Sequence, residues 1–225
     1  MAACNRLFIF AALALSSLPV LGEDQDLASL HQFNGNLRLS EKLRLMLHSR
    51  VRFNHDLGDF FQFRAGPIMF WDWRKRLQWQ AGYYWVAQQG DKEVVEIQRP
   101  WAGAQIRAYG NGRFSVDWRN LVERHLLVGP GDFTRFRTRA MATFQPKLGW
   151  QPYGSAEAVA LKGHVMGRYT AGMNFATAGG HLFGVGYEFR QDLWRPGSHI
   201  IATMMQFRLR GPRGRQKPGK GEVPQ

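Results

Sequence analysis

Residues 42–53 read KLRLMLHSRVRF. Leu43, Leu45, Leu47, Val51 and Phe53 hold the odd positions, interrupted by Ser49, while Lys42, Arg44, His48, Arg50 and Arg52 hold the even ones, interrupted by Met46. A period of two is the strand period, so this segment has one apolar and one cationic face. The fold turns on which face meets water. In a soluble sheet the apolar face is inside; in a membrane barrel it is outside.

The same period continues in both directions. Phe61, Phe63 and Ala65 oppose Gln62 and Arg64, and after a polar turn near Arg74 and Lys75, Leu77, Trp79, Ala81, Tyr83 and Trp85 oppose Gln78, Gln80, Gly82 and Tyr84. A strand over about 94–109 carries Glu96 and Gln98 on its polar face before Pro100, and Gln105 and Arg107 after it. A proline with a change of phase predicts a bulge there. Asn111-Gly112 is the strongest hairpin signal in the chain. Beyond it Phe114, Val116, Trp118 and Val122 oppose Ser115, Asp117, Arg119, Glu123 and His125, and Arg135, Arg137 and Arg139 share the polar face of the next strand. Tyr153, Ser155 and Glu157, then Arg168, then Glu188 and Arg190, then Gln206 and Arg208 continue that face to Leu209. This predicts ten strands from Lys42 onward, with a less regular segment at 28–38 as a possible further one and twelve as the upper count. No stretch sustains a 3.6-residue period, so no helix is available to cover an apolar sheet face.

The 225 residues fit one domain, and a net charge of +13 favours anionic partners without choosing among them. Residues 1–22 read as an export signal: Arg6 is the basic start, LFIFAALALSSL (7–18) the apolar core, and Val20 and Gly22 the small-residue cleavage positions. Its removal would take Cys4, the sole cysteine, so no disulfide framework is expected. Export also argues against nucleic acid as a partner. Residues 23–41 form an N-terminal segment with the possible first strand, 42–209 the barrel, and 210–225 a disordered basic tail rich in Gly and Pro. No segment reaches the ~18 consecutive apolar residues of a spanning helix, so residence in a membrane requires a closed barrel.

Three features favour the apolar face turned outward, as in an antiparallel up-and-down transmembrane β-barrel. Connections near Ser40, Arg74, Gly110, Lys147 and Gly179 read as short and those near His55, Gln89, Gly129, Leu161 and Arg195 as mostly longer, the alternation of outer-membrane barrels. Aromatics cluster where strands meet turns: Trp71, Trp73, Tyr109, Phe114, Phe144, Trp150, Phe175 and Phe183 at one end, Phe53, Phe61, Tyr83, Trp85, Phe133, Phe189 and Trp194 at the other. The polar face carries large charges of both signs mid-strand, which inside a barrel must pair or line water. The alternative is a soluble exported barrel of lipocalin type with the faces reversed.

On these residues the chain resembles the uncharacterised barrels grouped as domain-of-unknown-function family 2490. The resemblance rests on LSEKL at 39–43, the strand ending in Arg50 and Phe53, GYYW at 82–85, WRNLVERH with Arg119 and Glu123, the RFRTR run, Glu157 and Arg168. Leu121 and His125 stand where the family has further arginines, which thins the ladder of charges. The resemblance implies an outer-membrane barrel and supplies no activity.

The expected lumen network comprises Arg50, Arg64, Glu96, Arg107, Arg119, Glu123, Arg135, Arg137, Arg139, Glu157, Arg168 and Glu188. Arg135, Arg137 and Arg139 either pair with Glu123 and Glu157 or attract phosphate and carboxylate bidentately. Catalysis has only weak candidates: His125 with Glu123 on its own face, and His199 beside Ser198, whose neighbours in sequence point to opposite faces. There is no GxSxG, HExxH or paired-cysteine motif, so no cofactor or metal is expected. The expectation is a monomer in the bacterial outer membrane, in contact with its lipid and lipopolysaccharide and inserted by the barrel-assembly machinery. It would be structural or a narrow, anion-preferring conduit, with a lipid-modifying enzyme and a soluble binding barrel as alternatives.

Overall fold

The alternation runs through eleven strands in a computed structural model: β1 (Leu27–Arg38), β2 (Leu43–Asn54), β3 (Asp59–Arg74), β4 (Leu77–Gln89), β5 (Val94–Gly110), β6 (Phe114–Leu127), β7 (Phe133–Phe144), β8 (Trp150–Leu161), β9 (His164–Ala176), β10 (Leu182–Asp192) and β11 (Arg195–Leu209). The structure describes residues 27–54, 57, 59–90, 93–127, 131–146, 149–177, 179–192 and 195–209. The expected export signal at 1–22 and the expected disordered tail at 210–225 lie outside the described residues.

Each strand pairs antiparallel with its neighbour in sequence, and β1 pairs in parallel with β11 to close the barrel. The parallel seam follows from the odd number: in an up-and-down meander the first and last of eleven strands point the same way. Closure leaves no edge to recruit another chain. The count corrects the expectation of ten or twelve. β1 was hard to see because its inner face opens with the apolar Ala28 and Leu30, packed on Ile200, before turning polar at Asn34 and Asn36, while Ser29 and His31 interrupt its outer face.

Connections are short at both ends, so the expected alternation in length is absent. One end has residues 39–42, 75–76, 111–113, 145–149 and 177–181; the other has 55–58, 90–93, 128–132, 162–163 and 193–194. The strands run on through segments that read as loops. β8 and β9, for instance, are joined only by Lys162 and Gly163, both at positive φ (45° and 82°). Such a turn matches the twist of the flanking strands.

The two faces are opposite in character. Leu47 and Phe136, 56% and 57% exposed, stand with Trp71, Trp79, Trp118 and Val122 on the outside, whereas Arg64, Glu123, His125 and Glu157 are buried on the inside. This is the reverse of the lipocalin-type arrangement. Aromatic rings meet on the outer face near both ends, Trp73–Trp79, Tyr109–Phe114 and Phe144–Trp150 at one and Phe53–Phe60 and Phe63–Trp85 at the other. Phe133, assigned to a rim, lies inside instead, stacked on His125 at 4.3 Å between ring centroids, and Trp194 lies outside the described residues.

The bulge expected at Pro100 is not there. β4 and β5 keep one register from Val94 to Ile106, and the shift against β6 falls instead at Arg107/Tyr109. With parity unbroken, Ile97, Arg99 and Trp101 face inward, while Glu96 and Gln98 are exposed on the outer face. Glu96 therefore leaves the lumen network, and the indole of Trp85 donates to its carboxylate at 3.4 Å.

One wall of the lumen is apolar: Ile68, Phe70, Tyr84, Val86, Ile97, Trp101 and Leu121 form a buried cluster across β3–β6. Glycines make room for it. A Cβ on Gly82 would stand 2.6 Å from the Trp101 indole, and one on Gly103 2.6 Å from Leu121 Cδ2. Trp101 and Leu121 lie over this bare backbone.

The seam register is testable by cross-linking in a chain starting at Glu23. Phe33 pairs with Met205, so Phe33→Cys with Met205→Cys should form a disulfide on oxidation of the refolded barrel, read as altered migration on a non-reducing gel. Phe33→Cys with Ile201→Cys, whose partner is Ser29, should stay unlinked. The reverse pattern would refute the eleven-strand closure.

Candidate functional site

The charged site is built on the inner faces of β6–β9. Parity sends Arg119, Glu123 and His125 of β6 inward, with Arg135, Arg137 and Arg139 of β7, Glu157 of β8 and Arg168 of β9. Register brings them together: Glu123 lies opposite Arg135, Arg119 opposite Arg139, Arg139 opposite Glu157, and Glu157 opposite Arg168.

Arg137 is the hub. Its Nη1 donates to Glu123 Oε1 at 2.6 Å, its Nε and Nη2 donate to Glu157 Oε1 at 3.0 and 2.7 Å, and Nη2 also reaches Glu157 Oε2 at 2.9 Å. One guanidinium thus clamps carboxylates from two strands, a use of its fixed fork that a lysine would not reproduce. Arg135 donates to Glu123 Oε2 through Nε at 2.9 Å and again through Nη2. Glu157 is further approached by Arg119 at 3.7 Å and Arg168 at 3.6 Å. Glu123, 1% exposed, is held by charge from two sides. In these contacts Arg135 and Arg137 serve as a lattice rather than as open anion ligands.

A second set of charges lies on β2, β3, β5 and β10. Arg190 Nε donates to Glu188 at 2.5 Å. Arg64 donates to His48 Nε2 at 3.0 Å and its guanidinium sits 4.7 Å from the Tyr84 ring centroid. Because Nε2 accepts, the proton of this imidazole is on Nδ1, which donates to Asn34 Oδ1 at 2.9 Å. Arg50 shares this inner face opposite Arg64. Arg99, 4% exposed, also points inward and was missed in the sequence because a phase slip was read at Pro100. Its signal was present: Ile97, Arg99, Trp101 and Gly103 continue an unbroken parity to Gln105. Arg107 pairs with Asp117 at 3.1 Å and is half exposed, close to the 111–113 turn.

The weak catalytic candidates are dispersed. His125 Nε2 lies 3.5 Å from Glu123 Oε2, but that carboxylate is already engaged by Arg135 and the imidazole is covered by Phe133. His199 is on the outer face, against the Tyr187 hydroxyl and the Phe189 ring. The two histidines therefore belong to opposite sides of the sheet. Among the described residues no group of three or more His, Cys, Asp or Glu could hold a metal ion.

Only the family comparison returns a likeness: the model described as "Protein of unknown function (DUF2490)" matches residues 28–197. No curated protein and no solved structure matches the chain.

Glu123→Gln leaves Arg135 and Arg137 short of their buried counter-charge and should lower the stability of the refolded barrel by ~3–5 kcal/mol. Glu96→Gln, on the exposed outer face, should stay within ~0.5 kcal/mol of the parent. Urea unfolding followed by tryptophan fluorescence checks both, and equal effects would contradict the inside and outside assignments.

Proposed function

The chain belongs to the DUF2490 family of proteins of unknown function, and from that premise we propose that it is an outer-membrane β-barrel forming a narrow, anion-preferring conduit. The observation that carries this reading is the surplus of inward arginines in a closed sheet whose outside is apolar. Arg50, Arg64, Arg99, Arg107, Arg119, Arg135, Arg137, Arg139, Arg168 and Arg190 lie on the inner face, with Asp117, Glu123, Glu157 and Glu188 to offset them.

Lipid is the solvent that suits the outer face. Two polar pairs there bond across strands within the sheet, which suits hydrocarbon. His31 Nδ1 meets Thr203 Oγ1 at 2.8 Å, and the Trp118 indole donates to Thr138 Oγ1 at 2.8 Å. The aromatic pairs near both ends match the girdles of spanning barrels, and the export signal in residues 1–22 supplies a route to the outer membrane. Inside, a surplus of fixed cations in a low-dielectric wall concentrates anions and repels cations. The conduit is narrow because inward side chains line it on both parts of the wall, the aromatic cluster over β3–β6 and the arginine lattice over β6–β9. Eleven strands stand between eight-stranded barrels filled by side chains and the open porins.

Refolded chain in a planar bilayer under a salt gradient should give small conductance steps with a reversal potential toward anion selectivity. Arg50→Gln together with Arg139→Gln, which spare the Arg135 and Arg137 contacts, should lower that selectivity. A stably inserted barrel that stays silent would overturn the conduit and leave a structural role.

A further inference from the structure

Two inward arginine pairs lie directly across strands from one another. Arg168 of β9 is opposite Arg190 of β10, and Arg50 of β2 is opposite Arg64 of β3. Like charges in directly opposed positions, with Cβ atoms ~4.5–5.5 Å apart, destabilise a sheet unless something neutralises them. The opposed pair Arg119 and Arg139 has such a neutraliser, since Glu157 lies 3.7 Å from Arg119 and directly opposite Arg139. The Arg168 and Arg190 pair is offset in part by Glu157 and Glu188, whereas neither Arg50 nor Arg64 has a carboxylate within ion-pair distance among the described residues.

These pairs form one cluster, because Arg50 lies within Coulombic range of Arg64, Arg168, Arg190 and Glu188. The nearby carboxylates are Glu188, held by Arg190 at 2.5 Å, and Glu157, whose main ties are to Arg137 and which stands 3.6 Å from Arg168. Arg168 Nε and Arg190 Nη2 are buried without a hydrogen-bond partner among the described residues, as are Arg119 Nε and Arg139 Nε. Arg50 makes no hydrogen bond or ion pair among the described residues. Arg64 is partly committed to His48 and Tyr84. Beside the cluster, Gly172 and Gly186 oppose each other on the same inner face, and the Tyr153 hydroxyl lies over both, 2.6 and 2.7 Å from where their Cβ atoms would be.

We propose that Arg50, Arg168 and Arg190 form a binding site for a small, water-soluble oxyanion of the phosphate class, with Arg64 at its flank. Guanidinium groups present paired N–H donors that match phosphate oxygens, and a multivalent anion offsets several arginines at once where chloride offsets one. The donors left without partners supply the hydrogen bonds. A phosphate on a lipid headgroup is disfavoured because the site faces the lumen and the apolar face turns away from it. The proposal rests on the reading of the lumen as accepting anions, but requires neither a membrane nor a current.

Titration calorimetry on the refolded barrel in detergent micelles at low salt tests it with inorganic phosphate, glycerol 3-phosphate and chloride. Saturable phosphate binding, weakened at least tenfold by Arg50→Gln with Arg190→Gln and unchanged by Arg113→Gln in the 111–113 turn, is expected. Glu188→Gln, which removes a competing carboxylate, should tighten it. Orthophosphate binding alone assigns the free ion, and equal binding of glycerol 3-phosphate assigns phosphate esters. Each variant is first checked for heat-modifiable gel migration, so that loss of fold is not mistaken for loss of the site. Phosphate no tighter than chloride, or binding indifferent to Arg50 and Arg190 in folded variants, overturns the site. A barrel that binds phosphate but carries no current leaves the site standing and removes the conduit.

Discussion

The pairing of β1 with β11 is the constraint on which the structure depends. Once the sheet closes, no strand edge remains, and the side chain of each residue is committed to the inside or the outside by the two-residue period alone. A slip of one residue anywhere would carry arginines outward and Trp or Leu inward along a whole strand. No helix packs against either face among the described residues, and none of them covers the outer apolar surface. A bilayer supplies that cover in the function proposed here.

Inside, two packing devices divide the bore. Over β3–β6, Trp101 and Leu121 lie on the backbone of Gly82 and Gly103, so the wall thickens where residues are large and thins where they are absent. Over β6–β9, Arg137 ties Glu123 to Glu157 and so couples β6, β7 and β8 through their side chains as well as their backbones. Buried ion pairs do not by themselves stabilise a fold, because desolvation offsets much of their attraction. Their effect is in register, since a shifted strand would strand a charge in the wall. The cations beyond those pairs are the part of the lumen that packing alone does not explain.

Much of this was legible in the sequence. Alternation in KLRLMLHSRVRF, FSVDWRNLVER and RFRTR identified strands and their polar face, and Glu123, Glu157 and the arginines around them came together as their parity required. What escaped notice has identifiable causes. β1 mixes polar and apolar residues on both faces because it packs Ala28 and Leu30 against Ile200 inside the barrel. Pro100 sits in a strand without disturbing its register, so inferring a bulge there misplaced Glu96 and hid Arg99. Phe133 and the aromatic wall followed no rule of charge: they face inward because glycine partners and the His125 ring give them surfaces to lie on. Connection length also misled, since polar residues at strand ends look like loop until their partners are known.

The most direct test of the inside-out arrangement is alternating accessibility along β7 and β8 of the chain refolded into lipid vesicles. Single cysteines carrying a nitroxide at Ala140, Ala156 and Ala158 stand on the outer face, and at Met141, Thr143 and Ser155 on the inner. The outer set should relax rapidly with oxygen dissolved in the bilayer and little with a water-soluble paramagnetic complex, and the inner set should show the lower oxygen response. The opposite phase, or labels on both faces equally open to the water-soluble complex, would contradict a barrel that turns its apolar face to lipid and its arginines to the lumen.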